Sequence, residues 1–314
     1  MKKILFPFGN ECVSDGNSTP HIVEDPLADA DFQTVYEWLL SQPIEERLTG
    51  AVNDAIEYVL DGARTWRFDL DSPDVDSDER ASLGTKLQYR VLDALNLKKL
   101  PPLDTNILGI PVELKGTVRK NWMIPREGQC QICLLIQVDS SNDRYQAFLM
   151  RTHRLWLNEG GNQDKKRTIV AEAIRTYALP VVPWTPLPPN PLKLLKPDEL
   201  AIVFNLRNGI KRRLTALFGF LPDVVIPRIS IETVGANAKD VARRARQAKP
   251  DVYVEHGLVL LMGTWPLQRE MAAKHGFDIS NEAWIALTPE TLGDDFAVAW
   301  QMSRESGRGE ERLS

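Results

Sequence analysis

Asp104, Glu113 and Lys115 are the residues of this chain whose types and spacing could do chemistry together. They lie in Leu103-Asp-Thr-Asn-Ile-Leu-Gly-Ile-Pro-Val-Glu-Leu-Lys115, where one carboxylate precedes a strand-like run that carries a second carboxylate and a lysine two residues apart. Side chains two apart on a strand share a face. Glu113 and Lys115 are therefore expected to project together while Val112 and Leu114 turn to the opposite, core-facing side, and Asp104 can reach the same pocket from just upstream. Two hard oxygen donors beside an ammonium suit a magnesium-dependent phosphodiesterase. The carboxylate-x-lysine triplet alone says little, since roughly two are expected by chance at this composition. The other one present, Asp164-Lys-Lys166, falls in the polar run from Asn158 to Arg167, where no β-branched or aromatic residue supports a strand. A cross-face charge pair on a half-buried strand is the other use for Glu113 and Lys115.

The elements that must position these residues follow from periodicity. Helical spacing is found at Phe32, Val35, Tyr36 and Leu39, at Val52, Ala55, Ile56, Val59 and Leu60 up to Gly62, and at Leu83, Leu87, Val91 and Leu95, the last placing Gln88 beside its apolar stripe. After Pro101-Pro102 come strand-like segments at 107–115, 131–138 and 145–151, then a helix around 166–178. Helix, strands and helix in that order predict a mixed α/β core over residues 31–179. The first thirty residues are polar and turn-rich and predict a loose segment. Residues 180–191, half of them proline, predict a stiff linker.

Beyond that linker a second domain is expected over 192–302, followed by a polar tail at 303–314. Its helix candidate from Leu200 to Leu217 carries Lys211, Arg212 and Arg213, and a short strand is expected from Val224 to Ile231. A second helix, Ala238 to Ala248, bears Arg243, Arg244 and Arg246, with Lys249 just past its end, and the strand from Gly257 to Met262 follows. That order is the order of a helix-turn-helix with a β wing. A solvated basic helix face is the alternative.

The 314 residues carry a net charge of −5, which read whole argues against a nucleic-acid partner. The charge is unevenly placed. Residues 81–250 hold 27 basic and 14 acidic groups, whereas residues 1–80 hold 6 and 18. A basic middle between acidic ends fits a polyanion-binding surface, with ordinary solvated surface as the alternative. Three cysteines, Cys12, Cys130 and Cys133, are too few for a disulfide framework and imply a reducing cytoplasm. Cys130-Gln-Ile-Cys133 has the spacing of a redox pair or half a zinc site, yet it opens an apolar run that reads as a buried strand, and no second pair completes it. Met1-Lys-Lys and the apolar stretch from Ile4 to Phe8 are too short, and too broken by Pro7, for a signal peptide, and no transmembrane run is found.

With these residues in view, the chain resembles the NaeI family of type II restriction endonucleases over about residues 45–290. The matching motifs are Leu60-Asp-Gly-Ala-Arg-Thr-Trp-Arg67, Leu83-Gly-Thr-Lys-Leu-Gln88, Gly109-Ile-Pro-Val-Glu-Leu-Lys115, Trp122-Met-Ile-Pro125, Ile132-Cys-Leu-Leu-Ile136, Asn162-Gln-Asp-Lys-Lys-Arg167 and Gly257-Leu-Val-Leu-Leu-Met-Gly263. The resemblance implies a homodimer with a mixed-sheet nuclease domain similar to that of MutH, and a helix-turn-helix domain that binds an effector copy of the DNA site. It implies Asp104, Glu113 and the Leu114 carbonyl as magnesium ligands, Lys115 beside the attacked phosphate, and 5′-phosphate ends. Where better-known members place a glutamate, this chain has Gln88, which can ligate or hold a water through its amide oxygen but brings no charge. The ligase-like Lys-x-Asp-Gly remnant of the family here begins with Val59, so no nucleotidyl-lysine chemistry is expected. Asn158, Asn162, Asp164 and Arg167 are expected to read bases, with Lys165 and Lys166 on phosphates, although the same run suits a loop capping the next helix. Lys211, Arg212, Arg213, Arg243, Arg244, Arg246 and Lys249 are the expected effector-DNA contacts. A DNA-binding regulator on an inactive nuclease scaffold, and a MutH-like nickase, are the competing expectations.

Overall fold

The computed structural model describes residues 8–16, 20–161, 163–236 and 238–305. Most of the apolar stretch that begins at Ile4, Asn162, and nearly all of the expected tail lie outside the described residues. In chain order the elements are β1 (Glu11–Cys12), β2 (His21–Ile22), α1 (Ala30–Leu40), α2 (Ile44–Leu60), α3 (Gly62–Thr65), α4 (Ser77–Ala94), β3 (Thr105–Ile107), β4 (Ile110–Thr117), β5 (Met123–Ile124), β6 (Ile132–Asp139), β7 (Arg144–Arg151), β8 (Arg167–Thr168), α5 (Ala171–Tyr177) and β9 (Leu179–Pro186). They continue with α6 (Pro197–Val203), α7 (Ile210–Phe220), α8 (Arg228–Gly235), α9 (Val241–His256), β10 (Val259–Met262), α10 (Pro266–Lys274), β11 (Trp284–Leu287), α11 (Pro289–Leu292) and α12 (Phe296–Glu305). Two units form, one of residues 1–59 and 70–188, the other of residues 60–69 and 189–314.

The first unit is built on a five-stranded sheet in the order β3-β4-β6-β7-β9, antiparallel except between β4 and β6. The run Ile132 to Ile136 is buried throughout, as an apolar strand covered on both faces must be. Helix α4 packs on β4, α1 on β7 and β9, and α5 on β7. Two glycines set how closely α4 approaches: a Cβ on Gly84 would stand 2.8 Å from the Gly116 carbonyl oxygen, and one on Gly116 3.1 Å from the Gly84 Cα.

Four expectations for this unit are corrected. The strand expected at 107–115 is a hairpin, with β3 and β4 joined by Leu108 and Gly109 at φ +51° and +87°, the left-handed pair that a two-residue hairpin turn requires. The proline-rich linker is an edge strand over most of its length: β9 pairs with β7, and an edge is where strands tolerate residues without an N–H. The amino-terminal segment is not loose where it is described, since β1 pairs with β2, and Cys12 and Val23 are buried in the core. The helix expected around 166–178 starts at Ala171, because Arg167–Thr168 pairs with β5 instead.

In the second unit Leu214, Leu217, Phe218, Val234, Ala245 and Trp284 belong to one core in which α7 packs on α9 and both on α8. The turn from α8 to α9 carries Ala236 and Asp240 at positive φ, and the Asp240 carboxylate caps α9 by accepting from the Arg243 N–H at 3.0 Å. Residues 60–69 are part of this core: Phe68 stacks on Phe204, and Asp69 pairs with Lys193 at 3.2 Å.

The expected Leu200–Leu217 helix is two helices, α6 and α7, separated at Asn205–Gly209. The expected strand Val224–Ile231 gives way to helix α8 at Arg228, directly after Pro227 at the N-cap. The basic helix runs on through Pro250 to His256 and ends at Gly257. The strand expected to form a wing is interior, because β10 pairs with β11 across the inserted α10 and every residue of both strands is buried. Among the described residues no helix is long and apolar enough to cross a membrane.

Candidate functional site

Strand β3 pairs with β4 only as far as Val112, so the outer edge of β4 beyond it lacks a strand partner among the described residues. At Leu114 side chains replace the missing strand. The Leu114 N–H donates to Asp104 Oδ2 at 2.9 Å, and the Leu114 carbonyl accepts from Gln88 Nε2 at 2.8 Å. The same Gln88 nitrogen lies 3.2 Å from Asp104 Oδ2. Gln88 is one helical turn from Gly84, so the close glycine contact is what brings it to the strand edge.

Glu113 and Lys115 share the opposite side of β4 from Val112 and Leu114, as the alternation predicts, and Lys115 Nζ sits 2.6 Å from Glu113 Oε1. Asp104 and Glu113 are 6% and 3% exposed. Burial raises the Glu113 pKa above the ordinary carboxylate range; Lys115 opposes that shift, while the charges of Asp104 and Glu127 add to it. Two buried carboxylates that repel, with the Leu114 carbonyl at the same strand edge, form an oxygen donor set for a hard divalent cation.

The spacing gives no sign of Lys99 and Glu127. Lys99 Nζ stands 3.6 Å from Asp104 Oδ1, and Glu127 adds negative charge near Glu113. Both come from irregular segments, where residue separation does not encode direction. Gln88 also differs from expectation in which end of its amide faces the site: its nitrogen donates to two of the three expected ligands, Asp104 and the Leu114 carbonyl, so here it holds them in place rather than ligating.

The expected DNA contacts divide. Asn158, Asp164 and Lys165 are exposed, Lys166 pairs with Asp164 at 3.7 Å, and Asn158 bonds the Thr168 hydroxyl at 2.8 Å. The Arg167 guanidinium is bound to Asp15 and to the Asn158 carbonyl, which fastens the loop and occupies the group expected to read a base. In the second unit Arg212, Arg243 and Arg244 are exposed, Lys211 pairs with Asp251 at 2.6 Å, and Arg246 is half-buried.

Arg213 and Lys249 are corrected. Arg213 is 4% exposed on the core side of α7. Lys249 lies inside α9 and not past its end, is 3% exposed, and points to the Ser303 carbonyl at 3.3 Å; burial, with Arg246 nearby, lowers its pKa to about 7.

A mixed sheet that carries two carboxylates, a backbone carbonyl and a lysine at one strand edge has the donor arrangement of a divalent-metal phosphodiesterase. Comparison with known proteins agrees with that class. The family model described as restriction endonuclease NaeI matches residues 34–284, and the chain belongs to the NaeI restriction endonuclease family. It is also 27% identical over 146 residues to the type II restriction enzyme NaeI of Lentzea aerocolonigenes, a match that spans 46% of this chain and 45% of that protein.

Proposed function

We propose that this protein is a magnesium-dependent type II endonuclease that cuts both strands of DNA at a specific site and leaves 5′-phosphate ends. The observation that carries the reading is that Asp104 and Gln88 bond the Leu114 peptide while its chain neighbours Glu113 and Lys115 pair with each other on one face of β4. Asp104, Glu113 and the Leu114 carbonyl would hold the cation. When bound, it would neutralise phosphate charge and lower the pKa of a water. Gln88 and the Leu114 N–H fix Asp104, while the Lys115 ammonium, held by Glu113, supplies positive charge where a phosphate would be attacked. The protein would act as a homodimer on duplex DNA. Exposed Arg212, Arg243 and Arg244 on α7 and α9 would bind a second, effector copy of the site through the helix-turn-helix.

Supercoiled plasmid incubated with the protein and magnesium tests this. Discrete linear fragments are expected. Nicked circles only would support a repair nickase, and unchanged DNA that is nonetheless bound would support a regulator on a nuclease scaffold.

A further inference from the structure

Cys130 finds its partner 118 residues away. Its sulfur lies 3.5 Å from that of Cys12, and these two sulfurs and a ring nitrogen of His153 all fall within 4.8 Å of one another. All three residues are buried, at 2%, 0% and 1% exposure for Cys12, Cys130 and His153. Cys133 is excluded from the group, since its sulfur contacts the Thr152 hydroxyl at 3.2 Å.

Two further observations point to a ligand. His153 Nδ1 is buried with no hydrogen-bond partner among the described residues, and so is His21 Nε2. His21 is the register partner of Cys12 across β1 and β2, and such partners stand on one face of the ribbon. Backbone N–H groups also aim at the sulfurs: Arg154 donates to Cys130 Sγ at 3.4 Å, and Leu155 to Cys12. Donors of this kind stabilise thiolates rather than thiols.

We propose that Cys12, Cys130 and His153 form a structural zinc site; His21, which falls outside that 4.8 Å group, would have to turn toward the ion to serve as fourth donor. Two sulfurs each about 2.3 Å from a tetrahedral zinc stand roughly 3.8 Å apart, close to the spacing found. A disulfide needs about 2.0 Å and leaves both imidazoles without a partner. Binding releases the thiol protons to solvent. The ion would fasten β1 to the turn that begins β6, and β6 carries Cys133 directly opposite Glu113.

The test uses the full chain, purified under reducing conditions without chelator. Elemental analysis is expected to give one zinc per chain, retained by Cys133→Ser and lost in Cys12→Ser and in Cys130→Ser. Cobalt substitution of the wild type is expected to give thiolate-to-cobalt charge-transfer bands, which the oxygen donors at Asp104 and Glu113 cannot produce, so a serine variant that fails to fold leaves the test decisive. His21→Ala is expected to weaken zinc binding at least tenfold. Unchanged affinity in that variant overturns the fourth donor. Absence of both zinc and the cobalt bands in reduced wild type, a Cys12–Cys130 disulfide in protein without zinc, or full zinc content in the folded double serine variant overturns the site.

Discussion

Glu113 is held where its charge is costly, and that cost is open to measurement. Its folded pKa is raised, so the folded chain binds more protons than the unfolded chain between the ordinary carboxylate range and the raised value. Stability therefore falls as pH rises through that window. Glu113→Gln should raise the thermal midpoint of metal-free protein at neutral pH, and the gain should vanish below the ordinary carboxylate range; a gain that persists at acid pH would remove burial as the cause. The same substitution, like Lys115→Ala, should cut cleavage by about 10²–10³-fold or more while leaving DNA binding in calcium intact. Gln88→Glu places a charge against Asp104 and the Leu114 carbonyl. Lower metal-free stability is expected, with a larger stabilisation by magnesium and cleavage at least as fast at saturating magnesium; a variant as inactive as Lys115→Ala would show that the amide donor is required. Lys249 has the opposite sign of linkage. Its lowered pKa makes stability rise between about pH 7 and the ordinary lysine range, so Lys249→Met should raise the midpoint at pH 7 without weakening DNA binding.

At the level of elements, the contact between α4 and β4 positions the site. Gly84→Ala forces a methyl against the Gly116 carbonyl and should cost about 1–3 kcal/mol, measured by denaturant unfolding, while moving Gln88 off the strand edge and slowing cleavage. The helices of the first unit were legible because their apolar residues recur at helical spacing, and β4 because its alternation puts Glu113 and Lys115 on one face. The β3–β4 turn was not legible, since a leucine at positive φ carries no turn signature. Val224 to Ile231 resembled a strand because β-branched residues dominate it, and tertiary packing overrides that preference once Pro227 starts a helix. Arg213 and Lys249 looked like surface groups because charge type predicts exposure, and burial of a single lysine is decided by neighbours far away in sequence. The carboxylate pair was the most legible part of the candidate site; Lys99 and Glu127 were hidden by irregular backbone.

For the whole molecule, charge segregation predicts how binding responds to salt. Each phosphate contact contributes about 0.9 to the slope of log affinity against log salt, so Arg243→Ala with Arg244→Ala should flatten the slope for the full chain by roughly two. An unchanged slope would leave α9 as a solvated helix. The boundary expected at residue 192 is incomplete, because residues 60–69 belong with 189–314. During synthesis that decapeptide emerges long before the chain it packs against, and it must wait unmatched until the last two fifths of the protein is made. A single cut after Pro188 should accordingly yield fragments that co-elute under native conditions and separate only in denaturant, and a carboxy-terminal fragment made alone should recover its full thermal stability when a peptide of residues 60–69 is added back.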